Sequence, residues 1–290
     1  MLAVGLAVWA LVAARVEVAA ALRRLEPWSV LVAAVLTIGN VLLAGMVWRT
    51  VLTDLGSKLP PAASARIFYV GQLGKYLPGS VWPLIAQAEL GRDYNVPRSR
   101  SATATLVALL LGVTSALLVV LAALPFAPGI VPHRFAWVQL LLIPMLVLLH
   151  PAVLGRVVNL GLRLFGRGPM ERPTSLAGTA MAIAWACGSW LLAGLQVWVL
   201  VISLGGPATA RVAALAIGGY ALAWAVGFLV VVSPAGAGVR EVALAAVLST
   251  VLDRGSVLVV VLLSRVLFTL TDLAAAGVGV AAERRVMSRR

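Results

Sequence analysis

The chain has 290 residues, of which 62% are hydrophobic and 11% are charged, and its mean hydropathy is +1.04. About a quarter of the residues in a soluble domain are charged, so this composition excludes a soluble globular protein. A net charge of +13 would suit nucleic acid in a soluble chain. Here the basic residues lie in short loops beside apolar blocks, so we expect a multi-pass membrane protein that contacts anionic lipids and no nucleic acid.

The first part of the chain is predicted to form two spans and a loop. Residues 1–14 are apolar with no basic residue before them, which favours a short first span over a signal peptide. A polar, partly helical connection at residues 15–26 leads to a second span at residues 28–48. That block is long enough to cross about 30 Å of hydrocarbon. Residues 49–66 are predicted as an aqueous loop.

An interrupted apolar segment follows, with the sequence RIFYVGQLGKYLPGSVWPLIAQAELGR. Its two parts, residues 67–77 and 80–90, would each form a helix of about 16 Å, which is too short to span. Pro78 and Gly79 interrupt the backbone between them. Such a break is tolerated in lipid only where protein or water pairs its polar groups. The segment is therefore predicted as a re-entrant helix pair.

The rest of the chain is predicted to hold five more spans, one short helical block and one interfacial helix. The predicted spans are residues 101–124, 137–150, 176–204, 212–232 and 256–282. Residues 239–252 follow the break SPAGAG and are too short to cross alone. Four arginines at roughly helical spacing predict an interfacial cytoplasmic helix and loop: Arg156, Arg163, Arg167 and Arg172.

The basic loops set the predicted topology. Placing residues 49–66, 92–100 and 156–172 and the C-terminal tail inside satisfies the positive-inside rule, although Arg15, Arg23 and Arg24 then lie outside. The two broken segments then enter from opposite faces, which is the sequence signature of an inverted repeat with a site near the midplane.

We therefore predict an all-α fold, a polytopic transmembrane helix bundle with two oppositely oriented, broken or re-entrant helix pairs. Residues 1–290 form a single integral membrane domain with pseudo-halves at roughly 28–150 and 176–282. The chain is expected in the plasma or inner membrane with a cytoplasmic C-terminus. Stretches of small residues permit dimers but do not require them.

The first break is a candidate anion site. The break at Leu77, Pro78, Gly79 and Ser80 would place the N-terminus of a half-helix inside the membrane, with its free N–H groups and positive dipole end suited to a phosphate headgroup. Lys75 precedes the break and would add a full positive charge. Alternatively, the Pro-Gly pair only turns a hairpin and Lys75 extends to the membrane interface.

The second break and the last span carry further charged candidates. Arg240 and Glu241 are costly at membrane depth unless they face protein or water, although they also suit a self-compensating pair near the outer surface. Glu89 is predicted to meet Arg240 or Lys75. Arg265 and Asp272 share one face of the last span, two turns apart, so each is expected to contact another helix, as structural glue or along a transport pathway.

No catalytic or metal-binding set is visible in the sequence. His133 and His150 have no carboxylate at ligand spacing, and Cys187 alone cannot form an internal disulfide. No zinc-peptidase motif, phosphate-binding loop or nucleophile elbow is present. We expect no metal, no cofactor and no enzyme activity.

Two motifs resemble the membrane region of lysylphosphatidylglycerol synthases, a flippase-like integral membrane family. The first is matched by Gly74, Lys75, Tyr76, Pro78 and Gly79. The second is matched by Pro234, Gly236, Gly238, Arg240 and Glu241, with Ala235 and Ala237 as departures. The resemblance implies movement of a lipid or lipid-linked molecule between leaflets. The full synthases also carry an aminoacyl-transferase domain, which we do not expect in this chain.

The leading hypothesis is a flippase-like transporter for an anionic lipid or a polyprenyl-phosphate-linked intermediate. Its headgroup site would comprise Lys75, Tyr76, Pro78, Gly79, Ser80, Arg240 and Glu241. Glu89, Arg265 and Asp272 would form an intramembrane charge network. The alternative is a membrane scaffold or accessory subunit for a glycosyltransferase or another envelope enzyme. An intramembrane enzyme is the weakest hypothesis.

Overall fold

The computed structural model describes residues 15–77, 81–126, 140–164, 168–170, 172–229, 236 and 238–287. Within these ranges all regular structure is helical, which confirms the all-α prediction. The α-helices are α1 Arg15–Arg24, α2 Pro27–Asp54, α3 Pro61–Ala65, α4 Trp82–Arg92, α5 Arg98–Ala123, α6 Leu142–Leu148, α7 Pro151–Leu164, α8 Leu176–Ser203, α9 Ala210–Leu229, α10 Val239–Leu248 and α11 Arg254–Met287.

In the part of the chain that the structure describes, five helices are long and apolar enough to cross a membrane, which confirms a polytopic bundle. They are Pro27–Asp54, Arg98–Phe126, Leu176–Ser203, Ala210–Phe228 and Arg254–Arg285. Each coincides with a predicted span, because an uninterrupted apolar block of this length has one stable structure in lipid. The predicted first span at residues 1–14 lies outside the described residues.

The predicted span at residues 137–150 is described from residue 140 onward, where it forms the short helix Leu142–Leu148, and its crossing of a membrane stays a prediction. Leu142–Leu148 and Pro151–Arg163 are bent by 76° relative to each other. Pro151 explains the break, since proline lacks a backbone N–H and disfavours helical geometry in the residue before it. α7 itself is amphipathic, with Leu154, Val158 and Leu162 buried, as expected of the predicted interfacial helix.

The predicted loop at residues 49–66 is largely helical. α2 continues to Asp54, since Val51 and Leu52 are buried and favour two further turns. Two residues after the helix ends, Gly56 has a φ of +97°, which suits glycine. Residues 55–60 are the part of the predicted loop that is not helical, and the short helix α3 follows them.

The described chain divides into two compact units. The first comprises the described residues of Met1–Asn40, Ala116–Gln139 and Trp190–Thr271. The second comprises Val41–Ser115, Leu140–Ser189 and Asp272–Arg290. α11 thus contributes Arg265 to the first unit and Asp272 to the second. The predicted pseudo-halves and their inverted relationship stay predictions.

Close helix packing in the first unit depends on glycine. A β-carbon added to Gly194 of α8 would lie 2.2 Å from the Ile217 Cα atom of α9. This contact is between backbones, so it cannot be relieved by turning a side chain. Small residues at such positions let helices approach in lipid, where packing replaces the hydrophobic effect as the driving force.

Gly194→Ala is therefore expected to lower the free energy of unfolding by about 1–3 kcal/mol, because the two helices must move apart. Gly277→Ala is the matched control, since no atom lies within 4 Å of its added β-carbon. Thermal unfolding of both variants in detergent measures the difference. Equal midpoints for the two variants would contradict the packing.

Candidate functional site

The two arms beside the first break pack against each other. A π-helical turn (Arg66–Val70) and a 3-10 turn (Leu73–Tyr76) form one arm, and α4 forms the other. A β-carbon on Gly71 would lie 2.4 Å from Gln87 Cγ, and one on Gly74 would lie 2.8 Å from the Trp82 carbonyl carbon. The predicted pair of short helical arms is therefore present. Its re-entry into a membrane stays a prediction, and Pro78, Gly79 and Ser80 lie outside the described residues.

A buried hydrogen-bonded chain fixes α4 in the second unit. The Thr105 hydroxyl donates to Gln87 Oε1 at 2.6 Å and accepts from Trp48 Nε1 at 3.2 Å. The Ser101 hydroxyl donates to the Gln87 backbone carbonyl at 2.9 Å. Gln87 is only 1% exposed, so its polar groups require these partners. The chain of bonds ties α4 to α5 and α2.

Lys75 and Tyr76 converge on Asp272 in the same unit. The Lys75 ammonium lies 2.6 Å from Asp272 Oδ2, and the Tyr76 hydroxyl donates to the same oxygen at 2.6 Å. The Asp272 side chain is 6% exposed, whereas that of Lys75 is 33% exposed. A carboxylate this deeply buried needs a counter-charge and hydrogen bonds. Lys75 therefore forms an ion pair here and does not simply extend to an interface.

Arg240 lies on an aromatic surface in the first unit. Its guanidinium carbon is 4.6 Å from the centre of the Tyr220 ring and 5.4 Å from that of Phe268. The two rings stack with centroids 5.4 Å apart, and the guanidinium also donates to the Tyr220 hydroxyl. No carboxylate among the described residues forms an ion pair with Arg240. Its positive charge lies over aromatic rings and has no ion-paired carboxylate within the described ranges.

Glu241 has other partners than its neighbour Arg240, so the self-compensating pair is wrong. Glu241 Oε2 accepts the Gly238 backbone N–H at 2.6 Å and closes the first turn of α10. Its Oε1 lies 3.6 Å from Arg265 Nη1 on α11. The prediction that Arg265 and Asp272 each contact another element is confirmed.

The prediction that Glu89 meets Lys75 or Arg240 is wrong. Glu89 Oε2 lies 2.7 Å from Arg98 Nη2 and 3.4 Å from Arg92 Nη1, and its side chain is 50% exposed. The hydrogen bond from Arg98, with that from Arg92, holds the pKa of Glu89 below its usual range. The turn between α4 and α5 brings Arg98 back to α4, with Asn95 at a positive φ of 57°.

Tyr220 and Phe268 were not predicted as site residues. An aromatic side chain inside an apolar helix is typical of ordinary packing, so only the cation above the rings distinguishes this pair. The cluster around Asp272 and the cluster around Arg240 differ in net charge. Lys75 and Asp272 offset each other, whereas Arg240 adds a positive charge that no described carboxylate pairs with, beside the Arg265–Glu241 pair. An anionic ligand would therefore suit the cluster around Arg240.

Comparison with known proteins identifies the family of the chain. A search of curated proteins finds no significant match. The family model described as the lysylphosphatidylglycerol synthase TM region matches residues 1–276, which include both broken segments. The resemblance carried by the two motifs is thus confirmed, and this chain belongs to the lysylphosphatidylglycerol synthase transmembrane-region family.

Proposed function

We propose that this chain is a flippase-like transporter that moves an anionic lipid, or a polyprenyl-phosphate-linked intermediate, between the leaflets of a membrane. The observation that carries the proposal is the Arg240 guanidinium, held against Tyr220 and Phe268 without an ion-paired carboxylate in the described part of the chain. Such a charge among apolar helices is costly unless an anion joins it.

The geometry of Arg240 suits a phosphate group. The guanidinium lies over the two aromatic rings and donates to the Tyr220 hydroxyl, and in this proposal its other N–H groups donate to the ligand. A planar guanidinium can bind two phosphate oxygens at once, which a lysine ammonium cannot do in the same way. Arg265 lies 3.6 Å from Glu241, so that pair adds no net charge. Arg240, Arg265 and Glu241 together therefore carry a net positive charge, which suits a negatively charged headgroup.

The cluster of Lys75, Tyr76 and Asp272 supports the same substrate class. Lys75 and Tyr76 present an ammonium and a hydroxyl beside the predicted break at Pro78, Gly79 and Ser80, whose half-helix end would favour an anion. The family is also named for a synthase of a lipid, lysylphosphatidylglycerol, which supports a lipid as the class of substrate. In our proposal the chain moves an anionic lipid without chemically changing it.

The proposal places the chain in the plasma or inner membrane with its C-terminus in the cytoplasm. Arg284 and Arg285 follow the apolar part of α11, which supports this orientation under the positive-inside rule.

Leaflet exchange in liposomes tests the proposal. Purified protein is reconstituted with fluorescent phosphatidylglycerol, phosphatidylcholine or polyprenyl phosphate, and an impermeant quencher reports the label remaining in the outer leaflet. Anionic lipids are expected to exchange faster than phosphatidylcholine and faster than in protein-free liposomes. No protein-dependent movement of any of these lipids would overturn the proposal. A glycosyltransferase or other envelope enzyme that then copurifies in stable ratio would support the scaffold hypothesis.

A further inference from the structure

An amide group inside the first unit has a hydrogen-bonding atom that is not used. Gln196 of α8 is 0% exposed, and its Oε1 accepts a hydrogen bond from the Ser264 hydroxyl of α11 at 3.0 Å. Its Nε2 is buried and has no hydrogen-bond partner among the described residues. Leaving a buried donor unpaired is costly, and most such groups in folded proteins are paired. The amide of Gln196 therefore indicates a partner that joins it at some stage of the protein's activity.

The Gln196–Ser264 pair lies one helical turn from the cluster around Arg240. Ser264 and Phe268 are four residues apart on α11, so they share one face of that helix and lie about 6 Å apart along its axis. Phe268 stacks on Tyr220 and lies 5.4 Å from the Arg240 guanidinium carbon. All of these residues belong to the first unit. The unpaired amide and the guanidinium are therefore close enough for one headgroup to contact both.

The chemistry of the pair suits a hydroxyl group. With the amide as it stands, Nε2 of Gln196 needs an acceptor, and after a half-turn of the amide plane Oε1 would need a donor. A hydroxyl group both donates and accepts, whereas an ionised phosphate oxygen only accepts. Gln196 and Ser264 are also uncharged, so they do not favour a second anion. The pair therefore suits a neutral, hydroxyl-bearing part of a ligand whose phosphate binds Arg240.

We propose that Gln196 and Ser264 bind a hydroxyl group of the transported lipid while Arg240 binds its phosphate. The proposal rests on the proposed function and narrows its substrate to anionic lipids whose headgroup carries hydroxyl groups, as glycerol and sugars do. The distance of one helical turn is comparable with the length of a glycerol attached to a phosphate. Gln196 is closed to solvent in this structure, so the headgroup reaches it when α8 and α11 separate during transport.

Two lipids of equal charge test the proposal in the liposome assay. Fluorescent phosphatidylglycerol and phosphatidylpropanol have the same phosphodiester charge and equally long headgroups, and only the first carries headgroup hydroxyls. The wild-type protein is expected to exchange phosphatidylglycerol about 2–10-fold faster, which is the range for one neutral hydrogen bond. In protein-free liposomes phosphatidylglycerol should not be the faster lipid, because its hydroxyls must lose water to enter hydrocarbon.

Three variants distinguish a ligand site from a structural hydrogen bond. Gln196→Met keeps a side chain of similar length and is expected to exchange the two lipids at equal rates. Ser264→Ala is the milder change and is expected to reduce the preference, because one of the two binding groups is lost. Ser29→Ala removes another hydrogen bond between helices of this unit, from the Ser29 hydroxyl to Ser203 Oγ at 2.9 Å, and is expected to keep the wild-type preference.

The outcomes separate this inference from the proposed function. Equal wild-type exchange of the two anionic lipids, both faster than phosphatidylcholine, overturns the hydroxyl site and leaves the transporter proposal standing. A full preference for phosphatidylglycerol in folded Gln196→Met or Ser264→Ala also overturns the hydroxyl site. Absence of protein-dependent exchange of either lipid overturns the proposed function and the inference together.

Discussion

Replacing Arg240 with glutamine is expected to slow leaflet exchange of an anionic lipid by about 10–100-fold. Hydrogen bonds to a charged group contribute about 1.5–3 kcal/mol, which corresponds to that range. Glutamine keeps much of the length of the side chain and removes the charge. Exchange of phosphatidylcholine is expected to change little, because its headgroup has no net negative charge for Arg240 to bind. The rates come from the liposome assay described above.

Matched variants separate charge from geometry at this position. Arg240→Lys keeps the charge and loses the planar group that lies over the Tyr220 ring, so an intermediate rate is expected. Arg24→Gln removes an exposed arginine that pairs with Asp253 at 3.6 Å and should exchange lipid like the wild type. If folded Arg240→Gln also exchanges anionic lipid at the wild-type rate, Arg240 does not bind the headgroup.

The spans could be predicted from the sequence because their physical cause is local. A charge-free apolar block of 20 or more residues forms a helix in lipid wherever it lies in the chain. The ends of the helices were harder to predict from the sequence, as α2 shows. Its last turns are held by burial of Val51 and Leu52, and that burial depends on neighbours distant in sequence.

The charged site residues could be predicted individually, but their pairing could not. Lys75, Arg240, Arg265 and Asp272 stand out because a charge in an apolar segment is costly without a partner. Which partner it meets depends on how the helices are rotated and packed. Glu89 shows the difference, since a turn in the chain brings Arg98 within 2.7 Å of it and leaves no need for a distant cation.

Removing Lys75 alone is expected to destabilise the protein strongly. Lys75→Met leaves the Asp272 carboxylate buried with the Tyr76 hydroxyl as its one remaining partner among the described residues. Removing the counter-charge of a buried ion costs about 3–5 kcal/mol of unfolding free energy. Unfolding in detergent at neutral pH measures the loss.

The double variant Lys75→Met with Asp272→Leu distinguishes the ion pair from the packing around it. Two apolar side chains leave no charge to strand, so most of the stability lost in Lys75→Met should return. A double variant that is only as stable as the sum of the two single losses would contradict a coupled pair. A stable double variant that no longer binds phosphatidylglycerol would mean that the fold does not require this ion pair, whereas lipid binding does.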